Sequence, residues 1–164
     1  MRVLGIDPGL NTTGYGIIDG DSGQIKLIEA GFVQSDASAS ISERLHEIAA
    51  GVGEVLAQFR PDAMAIENLY SHYAHPRTAI IMGHARGVVL LKAAEAGIEV
   101  HQYAATRIKK SLTGNGRASK QQVQLMIKST LELSAIPEPA DVADALATAL
   151  CHCRTVQSEE TVAG

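Results

Sequence analysis

Residues 140–150, ADVADALATAL, place two carboxylates, Asp141 and Asp144, inside a run that is otherwise apolar. Pro139 just ahead marks the first turn of a helix. Residues three apart share one side of a helix, yet Val142, Ala143, Ala145, Leu146, Ala147, Ala149 and Leu150 leave almost no polar side for the acids to occupy. A carboxylate among apolar neighbours must be paired, neutralised or bound to a metal. Acids in a first turn also complement the helix dipole, an account that serves Asp141 better than Asp144. Which account holds depends on where the other carboxylates fall.

Working outward, the chain is read as a mixed α/β protein. Residues 2–7, RVLGID, form a short apolar strand ending in an Asp-Pro-Gly turn, and residues 13–19 and 24–33 resume as extended segments around the turn DGDSG. Three strands therefore run as an antiparallel meander before any helix. Ser40 and Glu43 spell a capping box, followed by helical periodicity up to Arg60-Pro61. Residues 62–69 read as a fourth strand, with Ala63, Ala65 and Glu67 on one face and Met64 and Ile66 on the other. Residues 78–97 form a long apolar helix, 98–103 a fifth strand, and 105–112 a short basic helix; Ser119 and Gln122 cap another. The order β-β-β-α-β-α-β followed by helices implies a five-stranded mixed sheet flanked by helices on both faces.

The 164 residues, 46% of them hydrophobic, suffice for one well-buried domain, taken as residues 1–156, with a flexible polar tail at 157–164. No secretory leader or uninterrupted apolar span is evident, so a cytoplasmic protein is expected. His84, Arg86, Lys92 and Glu95 make a membrane role for the long helix costly and favour core or subunit packing, with Gly83 and Gly87 in G-x-x-x-G spacing. Cys151 and Cys153, two apart in a helix, are read as buried thiols rather than a disulfide or metal pair.

The net charge of −4 is unevenly spread. Residues 100–131 contain no acid, whereas Arg107, Lys109, Lys110, Arg117, Lys120 and Lys128 are basic. That polarity suits a protein presenting one face to a polyanion. Backbone amides at the helix start near Ser119, with Lys120 in the first turn, favour an anion. The loop YSHYAHPR at residues 70–77 adds Tyr70 and Tyr73, which can stack on unpaired bases, and Arg77. Its His72 and His75 alone do not make a metal site.

Two further acids matter. Asp7 either opens its turn, as Asp often does, or stands at a strand end where chemistry is placed. Glu67 closes a buried strand, the edge at which α/β sheets commonly carry a site, or is simply solvated there. The glycines at 5, 9, 14 and 16 either let backbone approach a phosphate or permit tight packing. If the first and fourth strands are neighbours and the last helix crosses their carboxyl ends, Asp7, Glu67, Asp141 and Asp144 converge. Like charges so close need cations, and oxygen ligands select Mg²⁺ or Mn²⁺. Two such ions about 4 Å apart suit phosphodiester hydrolysis.

These residues amount to a family pattern. GIDPGLNTTGYG at residues 5–16, AIENLY at 65–70, TGNGRASKQQVQ at 113–124 and PADVADALATALCH at 139–152 together resemble the bacterial RuvC family of Holliday-junction resolvases, over essentially residues 1–156. The resemblance implies an RNase H-like fold and a homodimer that nicks four-way DNA junctions symmetrically in recombination and repair. It also implies Mg²⁺ dependence, 5′-phosphate and 3′-hydroxyl products, and work alongside the RuvA and RuvB branch-migration proteins. Carried over by motif, it implies Asp7, Glu67, Asp141 and Asp144 as metal-binding catalytic acids and Lys109 and Lys120 as contacts near the scissile phosphate. Tyr70 stands where some members carry Phe to stack on opened bases, and some members carry His at the position of Asp141. Arg77, Arg107, Lys110 and Arg117 are further candidates for DNA contact. Two other classes compete: a junction-binding module without catalysis, which leaves the acids unexplained, and one lobe of an actin or sugar-kinase type ATPase, which would need a second lobe.

Overall fold

In the computed structural model, which describes residues 1–21, 23–69 and 76–163, three strands come first: β1 (Arg2–Asp7), β2 (Thr12–Asp21) and β3 (Gln24–Gln34). They pair antiparallel in sequence, as the short turns between them require. Helix α1 (Ile41–Phe59) follows, then β4 (Ala63–Glu67), α2 (Pro76–Glu95) and β5 (Glu99–Tyr103). The two later strands join parallel, β4 against β1 and β5 against β4, giving the sheet order β3-β2-β1-β4-β5. Helices α3 (Ala105–Thr113), α4 (Lys120–Thr130) and α5 (Ala140–Ala163) complete the chain. This is the five-stranded mixed sheet of the RNase H-like fold, with its meander and its helices on both faces.

Alternation along the strands divides the core in two. Val3 and Ala65 face α5, where Val142, Leu146 and Leu150 cover them. Leu4, Ile6, Met64 and Ile66 point the other way, under Ile48 and Val52 of α1 and Val89 of α2. Burial of these aliphatic side chains is the principal stabilising contribution, on the order of 2 kcal/mol for each one fully removed from water. Both expected capping boxes are present: Ser40 with Glu43 starts α1, and Ser119 with Gln122 starts α4.

Helix α5 lies unusually close to the sheet, and glycines make the approach possible. A Cβ on Gly5 would lie 2.0 Å from the Ala145 carbonyl oxygen, and one on Gly16 would lie 2.4 Å from Leu146 Cδ2. Of the two readings open for these glycines, close packing is the one their surroundings support.

Boundaries differ from expectation at two helices. Helix α2 begins at Pro76 rather than residue 78, with proline in the first turn, where its missing N–H costs nothing. Helix α5 continues to Ala163 through residues expected to form a polar tail; extending a buried helix adds a hydrogen bond for each residue fixed, without a new nucleation cost. No helix among the described residues is long and apolar enough to cross a membrane. Cys151 and Cys153 are buried free thiols.

Candidate active site

Strands β1 and β4 run side by side with Ile6 opposite Ile66. The next residue on each, Asp7 and Glu67, therefore leaves the sheet at the same carboxyl edge. Asp144, on the second turn of α5, is brought over that edge by the close helix-to-sheet packing. Asp7, Glu67 and Asp144 line one open cavity of about 170 Å³, together with Asn68, Met82 and Arg86. Glu67 and Asp144 also border an adjoining cavity of about 160 Å³, whose far side carries Lys109 and Lys120. The two acids thus form the partition between an acidic and a basic compartment.

Asp141 lies one turn nearer the start of α5 and is half-buried. It lines neither cavity, although its charge reaches both Asp7 and Lys120. Lys120 Nζ donates to Asp144 Oδ2 at 3.0 Å. This bond, ahead of the more distant acids, holds the ammonium above its ordinary pKa.

The electrostatics of the acids follow from their crowding. Burial pushes the Asp7 carboxyl up to about 7, and repulsion from Asp144, Asp141 and Glu67 adds to it, while Lys120 opposes. Glu67 is raised for the same reasons, burial first and then Asp144, with Lys109, Arg86 and Lys120 pulling it down. Negative charge is therefore in excess at this edge. The donors are all carboxylate oxygens, a set that fits a hard divalent cation. Among the described residues no three potential ligands stand in a ready coordinating array. Asp144 is engaged by Lys120, and a cation held by these acids would need their side chains to turn toward it.

The other candidates are distributed as follows. Lys109 and Lys120 reach the site. Arg107 does not: its guanidinium lies 5.2 Å from the centre of the Tyr103 ring and donates to Thr155. Arg77, Lys110 and Arg117 are exposed and line neither cavity. Tyr70, with Tyr73, His72 and His75, falls outside the described residues. One further residue belongs to the site. Arg86 of α2, 9% exposed, lines the acidic cavity. The signal available is an arginine in the middle of a mostly apolar helix.

The chain is similar to known proteins over nearly all of its length. The family model for crossover junction endodeoxyribonuclease RuvC matches residues 3–152. A crossover junction endodeoxyribonuclease RuvC of Rhodopirellula baltica is 56% identical over 149 residues, covering 91% of this chain and 84% of that protein. The corresponding protein of Bordetella avium is 42% identical over 160 residues, covering 98% and 87%. The structure of Thermus thermophilus RuvC in complex with Holliday junction substrate superposes with a TM-score of 0.91 at 37% identity, covering 97% of this chain and 96% of that one. The chain belongs to the RuvC family of crossover junction endodeoxyribonucleases.

Proposed function

We infer that this chain is an endonuclease that resolves four-way DNA junctions by hydrolysing phosphodiester bonds with the help of divalent metal ions. The observation that carries the reading is the meeting of Asp7, Glu67 and Asp144, from three separate elements, in one cavity beside Lys120. It occurs in a chain that matches the junction-bound Thermus protein along 97% of its length.

In this reading Asp7, Glu67, Asp141 and Asp144 hold two Mg²⁺ ions, for which Mn²⁺ substitutes. When bound, the ions supply an acidified water and counter the charge that builds on the phosphoryl oxygens. The acids would hold the ions at the strand ends, where water adding to phosphorus with cleavage of the P–O3′ bond would leave 5′-phosphate and 3′-hydroxyl ends. Lys120, which holds Asp144 at 3.0 Å, would with Lys109 stabilise the negative charge of the transition state. Arg77, Arg107, Lys110 and Arg117 hold the DNA backbone away from the chemistry, and Tyr70 stacks on bases at the opened junction.

Symmetric nicking needs two sites, and α2 offers the surface for pairing them. Ile80 and Leu91 are 61% and 57% exposed, and Gly83 and Gly87 between them have nothing within 4 Å of an added Cβ. The four fall on one stripe of the helix, where small residues let a second copy approach closely. The homodimer acts in the cytoplasm beside RuvA and RuvB, in recombination and repair.

The direct test compares a synthetic four-way junction with a linear duplex of the same sequences, in Mg²⁺ and in EDTA. Paired nicks on the junction alone, abolished by EDTA, are expected. Equal cutting of both substrates would remove junction selectivity, and tight binding without cutting would leave a junction-binding module. No observation in the structure favours the ATPase lobe.

A further inference from the structure

Arg86 is buried on α2 and lines a cavity shared with three carboxylates. Placing a guanidinium there is costly unless its donors are satisfied. Two of its contacts explain why it is stable. Nη1 donates to the Glu67 carbonyl oxygen at 2.5 Å, and Nη2 donates to Gln102 Oε1 at 2.8 Å. The first acceptor is the last residue of β4 and the second belongs to β5, so one planar group ties α2 to the ends of two strands. Next to it, Asn68 N–H donates to the carbonyl of Tyr103, also on β5, at 2.8 Å. The backbone carrying Glu67 is thereby held from α2 and from β5 at the end of the strand, where its pairing with β1 has already stopped.

We propose that Arg86 is a positioning residue for Glu67: its two-pronged bridge fixes the strand end that presents this carboxylate to the metal ions. This rests on the metal-nuclease reading above and adds a residue to it. The requirement is geometric as well as electrostatic. Lysine would keep the charge but is a point donor and cannot span both acceptors in one plane. The position of Arg86 also ties the site to the helix whose outer stripe carries Ile80, Gly83, Gly87 and Leu91, so the proposed pairing surface and the Glu67 strand end share one rigid connection.

The experiment is Mn²⁺ binding to the full-length protein by calorimetry, without DNA, for the wild type, Arg86→Lys, Arg86→Met and Gln102→Ala. Thermal unfolding and circular dichroism run alongside. Partners that orient a ligand are typically worth about 10- to 100-fold in metal affinity. Both Arg86 variants are therefore expected to bind Mn²⁺ at least about tenfold more weakly. Gln102→Ala, at an exposed position, removes one prong without threatening the fold and should weaken binding in the same direction by less.

If Arg86→Lys binds like the wild type while Arg86→Met binds more tightly, the residue acts only through its charge and the positioning role is overturned. If the Arg86 variants melt earlier but all three variants keep wild-type affinity, the bridge is merely structural and the role is likewise overturned. If the wild type itself binds no Mn²⁺, the metal-nuclease reading fails and this role fails with it. That result is distinct from an unchanged affinity among variants of a metal-binding protein.

Discussion

A Cβ on Gly14 would lie 2.2 Å from the carbonyl oxygen of Asp141. Strand β2 and the first turn of α5 are thus in backbone contact, and the glycine sets how near the acids of α5 come to the sheet edge. Gly14→Ala must push the start of α5 outward, because a carbonyl cannot yield as a flexible side chain does. The expected result is a loss of about 1–3 kcal/mol in urea unfolding, typical of overpacking, together with strongly reduced junction cleavage. Wild-type stability and activity would mean that the contact does not set the site.

The Lys120 to Asp144 bond joins two partly exposed groups, at 57% and 40% side-chain exposure. An ion pair this open contributes little to stability, roughly 0–1 kcal/mol. Lys120→Ala should therefore melt almost as the wild type does. Its single-turnover cleavage should fall by about 100-fold, the scale on which one preorganised positive partner acts in a transition state. A large fall in melting temperature with normal cleavage would reassign Lys120 to the fold.

Both lysines were legible as candidates because local signals marked them: a long acid-free stretch and a capping box at Ser119. The same locality made both N-caps, the strand order in sequence and the alternation of Met64 and Ile66 against Ala65 readable. What pattern alone could not decide was non-local. Whether Asp7 merely opened a turn depended on β4 lying beside β1, and whether Gly5, Gly14 and Gly16 served phosphate or packing depended on a helix some 130 residues away in the chain. Arg86 was missed for the same reason, since its acceptors come from β4 and β5 and nothing in the α2 sequence announces them. The end of α5 was misplaced because helix propagation does not need an apolar pattern once its first turns are buried.

Stability should weaken in acid through His152, which is 3% exposed and whose Nδ1 lies 2.7 Å from Tyr103 Oη. Burial, then the neighbouring His101, lowers its pKa from 6.5 to about 4, against a small opposing pull from Glu99. The unfolded chain takes up a proton below pH 6.5 while the folded chain does not, so this contribution is full above 6.5 and is lost as pH falls toward 4. Between about pH 7.5 and pH 5 the loss is about 2 kcal/mol. Asp7 acts in the opposite sense, because its folded pKa lies above its unfolded one and its ionisation opposes folding as pH rises from 3.8 toward 7. The clean measurement is the difference between wild type and His152→Gln, in which Asp7 cancels. That difference should shrink by about 2 kcal/mol on acidification, and a constant difference would contradict the assignment.

Leu91, exposed on the outer stripe of α2, can be changed without disturbing the core. Leu91→Asp should leave thermal unfolding of the subunit fold intact and convert a dimer to monomer in sedimentation at micromolar concentration. Wild-type protein that sediments only as monomer would remove the pairing role from this helix.

The central claim is that the carboxylates at the joined ends of β1, β4 and α5 carry out metal-dependent hydrolysis, and Asp7 is their innermost member. The most direct test is Asp7→Asn, close in size but without the charge, assayed on a four-way junction under single-turnover conditions with Mg²⁺ beside a junction-binding titration. Cleavage is expected to fall below detection while binding stays within a few-fold of wild type. Near-normal nicking by Asp7→Asn would contradict it.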